Sequence, residues 1–333
     1  METFSKVLMT TLVDKRNTLF TREALDSAAA CINESPSVVP ICVEHDRTIP
    51  PLGHVVRAWV EPLPNHDGHY QLVTENRIFE ERETLTLKDG TVLCRESSHH
   101  LRKPFRLPGA DRDKVVLTYD MNGFQSEDEK DRFLAELRAG GTIDFDARPH
   151  VRRSLLPDPE LVMSIPFGVL IYHLAKPLAV SVGRQLSDLV GRELAEDVSG
   201  LYKLIKKAVK RLAAYAIPRN RPKTYIFEIG GVDPLLELIA RGNDPDLIIR
   251  ALMDNPQQIS DLMERAKEMQ AAFGADRVQF LLADEGVWRF NFLTTREGKV
   301  IGTKQSYARR AEVLKVVFSE CQAEPTGDET EGN

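Results

Sequence analysis

The stretch Val39–Pro62, VPICVEHDRTIPPLGHVVRAWVEP, decides how the first third of the chain is read. Two runs rich in β-branched residues, VPICVEH and HVVRAWVEP, flank a polar segment that ends in Pro50-Pro51-Leu52-Gly53. Valine and isoleucine suit a pleated, half-buried surface, while proline and glycine punctuate turns. The pattern predicts two strands joined by a rigid turn, with His45 at the end of the first. A histidine there is either a polar strand end satisfied by the backbone or a reactive group on a β scaffold.

Working outward, KVLMTTLVD is an apolar start, and FTREALDSAAACINESP is a short helix with Thr21 as its N-cap. Beyond the opening stretch, Asn65-His66-Asp67-Gly68 is a turn and HYQLVTENRIF partly alternates. ETLTLKDGTVLCRES reads as a hairpin folded at Asp89-Gly90. Short strands separated by turn residues predict an antiparallel, β-barrel-like domain over residues 1–108. Residues 109–160 follow as strand, helix and strand. The helix SEDEKDRFLAELRAGG opens with Ser126 and Glu129 as a capping box.

From Leu161 the pattern turns helical, and residues 161–218 are expected to form a connector. Leu201, Ile205, Val209 and Leu212 lie on one stripe of it, and Lys203, Lys206, Lys207, Lys210 and Arg211 crowd toward its C-terminal end. Residues 223–322 read as a small α+β module. It begins with the strand TYIFEI, followed by two helices opened by Asn243 or Asp244 and by Asn255. An antiparallel meander then turns at Glu285-Gly286 and Glu297-Gly298, and a helix Tyr307–Cys321 closes the module. The tail 323–333 is acidic and expected to be disordered. The fold class expected for the whole is α+β.

The 333 residues carry a formal net charge of −6. That balance argues against nucleic acid as a partner, because neutralising phosphates takes a basic excess. Cys31, Cys42, Cys94 and Cys321 form no CxxC pair and no metal-ligand spacing, so no metal is expected and a reducing, cytoplasmic setting is. The most apolar run, Glu160–Gly183, is broken by Pro166, His173, Lys176 and Pro177, which argues against a straight membrane span. With the lysine-rich helix after it, the region 161–212 reads as a buried connector, a contact between copies in a homo-oligomer, or a membrane-surface contact.

There is no P-loop, dinucleotide fingerprint, HExxH or GxSxG, and no cofactor is expected. Candidate chemistry rests on histidine and serine. Attack on a carbonyl needs a nucleophile, a base touching it and a third group that orients the base. His45 is the candidate base. Ser97 and Ser98 are the candidate nucleophiles, with His99 and His100 beside them in sequence. Successive strand residues face opposite ways, so only one of the two serines can face His45. The bland alternative for SSHH is an exposed polar strand end.

Residues 8–80 resemble the front half of the tailed-phage prohead (head-maturation) proteases, which share a barrel with the herpesvirus assemblins. The matching segments are VPICVEH, DRTIP, PLG, HVVRAWVEP, NHDG and HYQLV. The resemblance implies a serine-type peptidase, self-processing or cleaving a specific protein partner, with His45 as its histidine. The family's serine lies on a later strand, after a helix, in an apolar-Ser-apolar-Gly setting. Ser97 and Ser98 stand in CRESSHH, outside that setting. Ser164, in LVMSIPFG, has the setting but lies much further along the chain. The alternative expectation is a non-catalytic binding or effector protein of a phage or bacterial system. Its barrel would serve recognition, and its helical region would contact another copy or a membrane.

Overall fold

The computed structural model describes residues 3–13, 19–87, 90–99, 101–107, 114–139, 143–150, 158–166, 192–231, 233–254 and 256–323. The chain is α+β and forms two compact units, Met1–Leu101 with Val300–Asn333, and Arg102–Lys299.

In the first unit, strands β1 (Thr3–Thr10), β2 (Pro40–Ile41), β3 (Gly53–Pro62) and β4 (Tyr70–Ile78) form an antiparallel sheet in the order β1-β4-β3-β2. Helix α1 (Arg22–Asn33) lies on one face, and the Thr21 hydroxyl accepts from the Ala24 N–H as its N-cap. Leu25 and Ala29, four residues apart and so on one side of the helix, pack on Ala58 and Leu72. The side chain of Asn33 grips the backbone of Ala58 twice, at 2.8 Å each, and fixes the helix end to β3. Gly53 allows β3 and β4 to close up, since a Cβ there would fall 1.9 Å from the Arg77 carbonyl oxygen.

Strands β5 (Glu81–Thr86) and β6 (Val92–Ser97) pair as the predicted hairpin, with Asp89 of its turn outside the described residues, and β14 (Val300–Thr303) pairs antiparallel with β6. The last helix, α6 (Lys304–Ala323), packs on β6 and β14. Two expectations are corrected here. Among the described residues the sheets are open, with β1 and β2 as the outer strands of the first, and no closed barrel is seen. The closing strand and helix belong with the N-terminal unit rather than with a C-terminal module.

The second unit is built on a seven-stranded mixed sheet, β13-β12-β11-β10-β9-β7-β8. Its strands are β7 (Val115–Asp120), β8 (Phe145–His150), β9 (Glu160–Pro166), β10 (Lys223–Gly230), β11 (Leu235–Gly242), β12 (Ala275–Leu282) and β13 (Trp288–Thr295). Three neighbouring pairs are parallel, β7/β8, β9/β10 and β11/β12. Parallel neighbours need long crossovers. Helix α2 (Glu127–Arg138) joins the first pair, α3 (Arg192–Tyr215) lies between the second, and α4 (Pro245–Met253) with α5 (Pro256–Phe273) joins the third. The caps predicted for α2 and α4 form: Ser126 accepts from Glu129 N–H, and Asp244 from Asp246 and Leu247 N–H.

Two strands were unexpected. Residues 160–166 form β9 where the sequence predicts the start of a helical stretch, and β11 occupies residues read as lying before two helices. Met163 and Leu238 are buried on one sheet face, and Val162 and Ile239 on the other. A strand covered on both faces shows an unbroken apolar run with no period to read. Residues 167–191 of the predicted connector and the tail beyond 323 lie outside the described residues. No helix among the described residues is long and apolar enough to cross a membrane.

Candidate functional site

His45 does not end a strand. It closes a 3-10 turn, Val43–His45, in which Glu44 and His45 have φ of 51° and 54°. Strand β2 stops two residues before that turn begins, because the chain leaves the sheet at Cys42. The loop after it is held rigidly. Asp46 Oδ1 accepts from Thr48 N–H at 2.7 Å, a local turn that this residue type favours. Arg310, from α6, donates to the Pro51 carbonyl at 2.7 Å and makes a two-pronged pair with the buried Glu96 of β6, each prong 2.8 Å. The planar guanidinium matches a carboxylate in this way, and no lysine could. The Tyr307 ring lies near the guanidiniums of both Arg310 and Arg82, and its hydroxyl donates to the Val300 carbonyl. Burial, helped by Glu96, holds that phenol far above its ordinary pKa.

The candidate nucleophiles sit at the end of β6. Ser97 donates to Glu81 of β5 at 2.7 Å, and Glu81 also meets His99 Nε2 at 3.1 Å. The order is therefore serine, carboxylate, histidine. General-base activation needs the imidazole between the other two, so that it takes the hydroxyl proton. Ser98 is buried, and its hydroxyl has no hydrogen-bond partner among the described residues. Neither serine hydroxyl is hydrogen-bonded to the His45 ring. His100 lies outside the described residues. Ser164 is on β9, where it donates to Glu228 of β10 at 2.8 Å, again a carboxylate rather than an imidazole.

Three features were not singled out from sequence. The first is His54 on β3, which faces Arg77 of β4 and is buried, with no partner for Nδ1 among the described residues. Burial depresses its pKa and the positive charge of Arg77 adds to that, with Glu80 pulling the other way. The second is a polar row across the seven-stranded sheet. The register sets Ser164 beside Glu228, Glu228 opposite Glu237, and Glu237 beside Gln279. Register neighbours share a face. Gln279 donates to the wholly buried Glu237 at 2.5 Å, and Asn291 donates to Gln279. The legible signal was a lone glutamate inside each of two apolar runs, YIFEIG and LLELIA.

The third feature is the β1 edge. Among the described residues, nine large apolar side chains are exposed. Phe4, Val7 and Leu8 are on β1, Val13 and Leu19 follow it, and Val56 is on β3, which leaves three elsewhere. The other outer strands carry familiar protections against stray pairing. Strand β2 has only two residues, β5 carries Glu81, Arg82 and Glu83, and β8 carries Asp146, Arg148 and Pro149. On β1 the only such devices are Lys6 and a register shift between Val7 and Met9.

The basic end of α3 is largely paired within the chain. Lys210 meets Asp246 at 2.8 Å, Arg211 meets Glu136 at 2.7 Å, and Lys207 donates to the Ala139 carbonyl. The described residues hold no group of three or more His, Cys, Asp or Glu placed to bind a metal ion. No family model, curated protein or solved structure matches the chain.

Proposed function

We propose that this chain is a non-catalytic protein-binding module whose first unit takes an extended segment of another protein as an added strand along β1. The open edge carries the reading. An outer strand of eight residues offers every second N–H and C=O to a partner, and these give such pairing its affinity. The β1 side chains Phe4, Val7 and Leu8 are exposed among the described residues of their own unit. The serine geometry favours binding over peptidase chemistry, because the hydroxyls of Ser97 and Ser164 both point their protons at carboxylates.

Charge chooses the occupant. The strand TFSKVLMT bears one cation, Lys6, and no acid. A second copy would bring like charges together, whereas a foreign strand with an acidic residue at that position would complement it. The test titrates the full chain with a fluorescent hexapeptide of alternating valine and glutamate. Saturable binding is expected, weakened about tenfold or more by Lys6→Glu and regained with a valine–lysine peptide. Equal binding by wild type and Lys6→Glu would remove the proposal. So would a concentration-dependent dimer that Lys6→Glu abolishes, since the edge would then belong to a second copy.

A further inference from the structure

The second unit has a cavity of about 410 Å³ at the carboxyl end of β7, lined by Asp120, Asn122, Gly123, Ile217 and Pro218. That volume lies within the range of small-molecule sites, roughly 300–1,000 Å³. Its place also follows a rule of sheets with parallel strands, which bind ligands beyond the carboxyl ends of those strands. Here β7 and β8 are the parallel pair, and Asp120 is the last residue of β7.

The walls of the cavity are joined by hydrogen bonding and aromatic packing. Ile217 N–H donates to the Gly123 carbonyl at 2.9 Å, which fastens one wall to the other. Tyr119, Phe124, Phe133 and Tyr215 pack ring on ring beside it, at centroid separations of 5.2 to 6.4 Å. Phe124 follows Gly123 directly, and Tyr215 precedes Ile217 by two residues, so both walls are anchored in that aromatic cluster.

The chemistry of the lining is asymmetric. Ile217 and Pro218 are apolar, while Asp120 is acidic and, as a residue, only 3% exposed. One oxygen of Asp120 accepts from the Asn122 N–H at 3.0 Å. Among the described residues the carboxylate has no ion pair. A nearly buried carboxylate without a cation is costly, and proteins rarely keep one unless something else meets it.

We infer that this cavity is a binding site for a small organic cation, a protonated amine on an apolar body, with Asp120 as its counter-charge. The ammonium would donate to the Asp120 oxygen left unused by the cap, and the apolar body would rest on Ile217 and Pro218. The inference stands apart from the β1 edge and does not depend on it.

Benzylamine and its neutral analogue benzyl alcohol serve as probes of the full chain, read by calorimetry and ligand-observed NMR. Benzylamine is expected to saturate with a Kd of about 1 mM, and benzyl alcohol to bind about tenfold more weakly or worse. Asp120→Asn keeps an oxygen for the Asn122 N–H and removes only the charge, so the advantage of the amine over the alcohol should vanish. Ile217→Trp should fill the cavity and block the amine while Asp120 stays intact, a control independent of how Asp120→Asn folds. Absence of saturable benzylamine binding to wild type overturns the inference. So does an amine preference unchanged in Asp120→Asn, or binding unchanged in Ile217→Trp.

Discussion

The two units bury a glutamate in opposite ways. In the first, Glu96 is met charge for charge by Arg310, and the same guanidinium also satisfies the Pro51 carbonyl. In the second, Glu237 accepts from the amide of Gln279, and Arg277 stands 4.0 Å away. The first arrangement is a clamp that ties the end of the chain to a loop and a strand near its start. The second is a ladder built entirely from strand register. A clamp of this kind fails abruptly when one member is lost, because a full charge is left stranded. The ladder is expected to weaken in proportion, because amide partners leave a smaller unpaid desolvation when one goes.

The largest expected effect tests the clamp. Arg310→Ala should cost the first unit about 3–5 kcal/mol, since Glu96 would be buried without its partner. Arg310→Met with Glu96→Leu should regain most of that loss. Denaturant unfolding with hydrogen exchange read separately over residues 3–101 and 102–299 would check it, and a loss spread evenly over both units would break the contrast. The ladder comes next. Glu237→Ala should cost about 1–3 kcal/mol, confined to the second unit, with Glu237→Gln milder than Glu237→Ala.

A smaller effect concerns pH. His54 has a depressed pKa in the folded chain, so it stays neutral there while the unfolded chain begins to take a proton near pH 6.5. The unfolded state then binds more protons, and stability falls as pH drops from about 7 through 6.5 toward the folded-state pKa. His54→Phe should flatten that slope in the first unit and leave the second unchanged; a slope untouched by the substitution would assign it to other groups. The smallest effects are expected of the two serine–glutamate pairs. Ser97→Ala and Ser164→Ala should each cost about 1 kcal/mol or less. Any fluorophosphonate labelling should be the same in wild type, His45→Ala and the Ser97→Ala/Ser98→Ala double variant. Labelling lost in the latter two would restore the peptidase reading.

Legibility followed the range of the interaction. Thr21, Ser126 and Asp244 cap helices with hydroxyl or carboxylate groups that act two or three residues away, so the helix starts could be read directly. The hairpin at Asp89-Gly90 and the turns at Glu285-Gly286 and Glu297-Gly298 were equally local. Strands β9 and β11 were missed because burial on both faces erases the period-2 alternation. Ser164 has the apolar setting of the family's serine in LVMSIPFG, but its partner, Glu228, lies on the next strand, 64 residues on. In the opening stretch, the turn expected at Pro50-Pro51-Leu52-Gly53 gives way to extended chain: the Leu52 N–H donates to the Ile41 carbonyl, and Gly53 is already the first residue of β3. The Arg310 that helps hold Pro51 could not be read, because a pairing across 259 residues leaves no local trace.

By itself the sequence determined the local elements of this protein: caps, turns, the hairpin, the amphipathic stripe of α3 and the α+β class. Those depend on side chains acting on their own or nearby backbone. Only the tertiary structure decided which strands neighbour one another, that the last strand and helix complete the first unit, and what meets each serine and each buried carboxylate. Register and burial arise from contacts between distant segments, and a residue's chemistry in the folded chain is set by the neighbours those contacts supply.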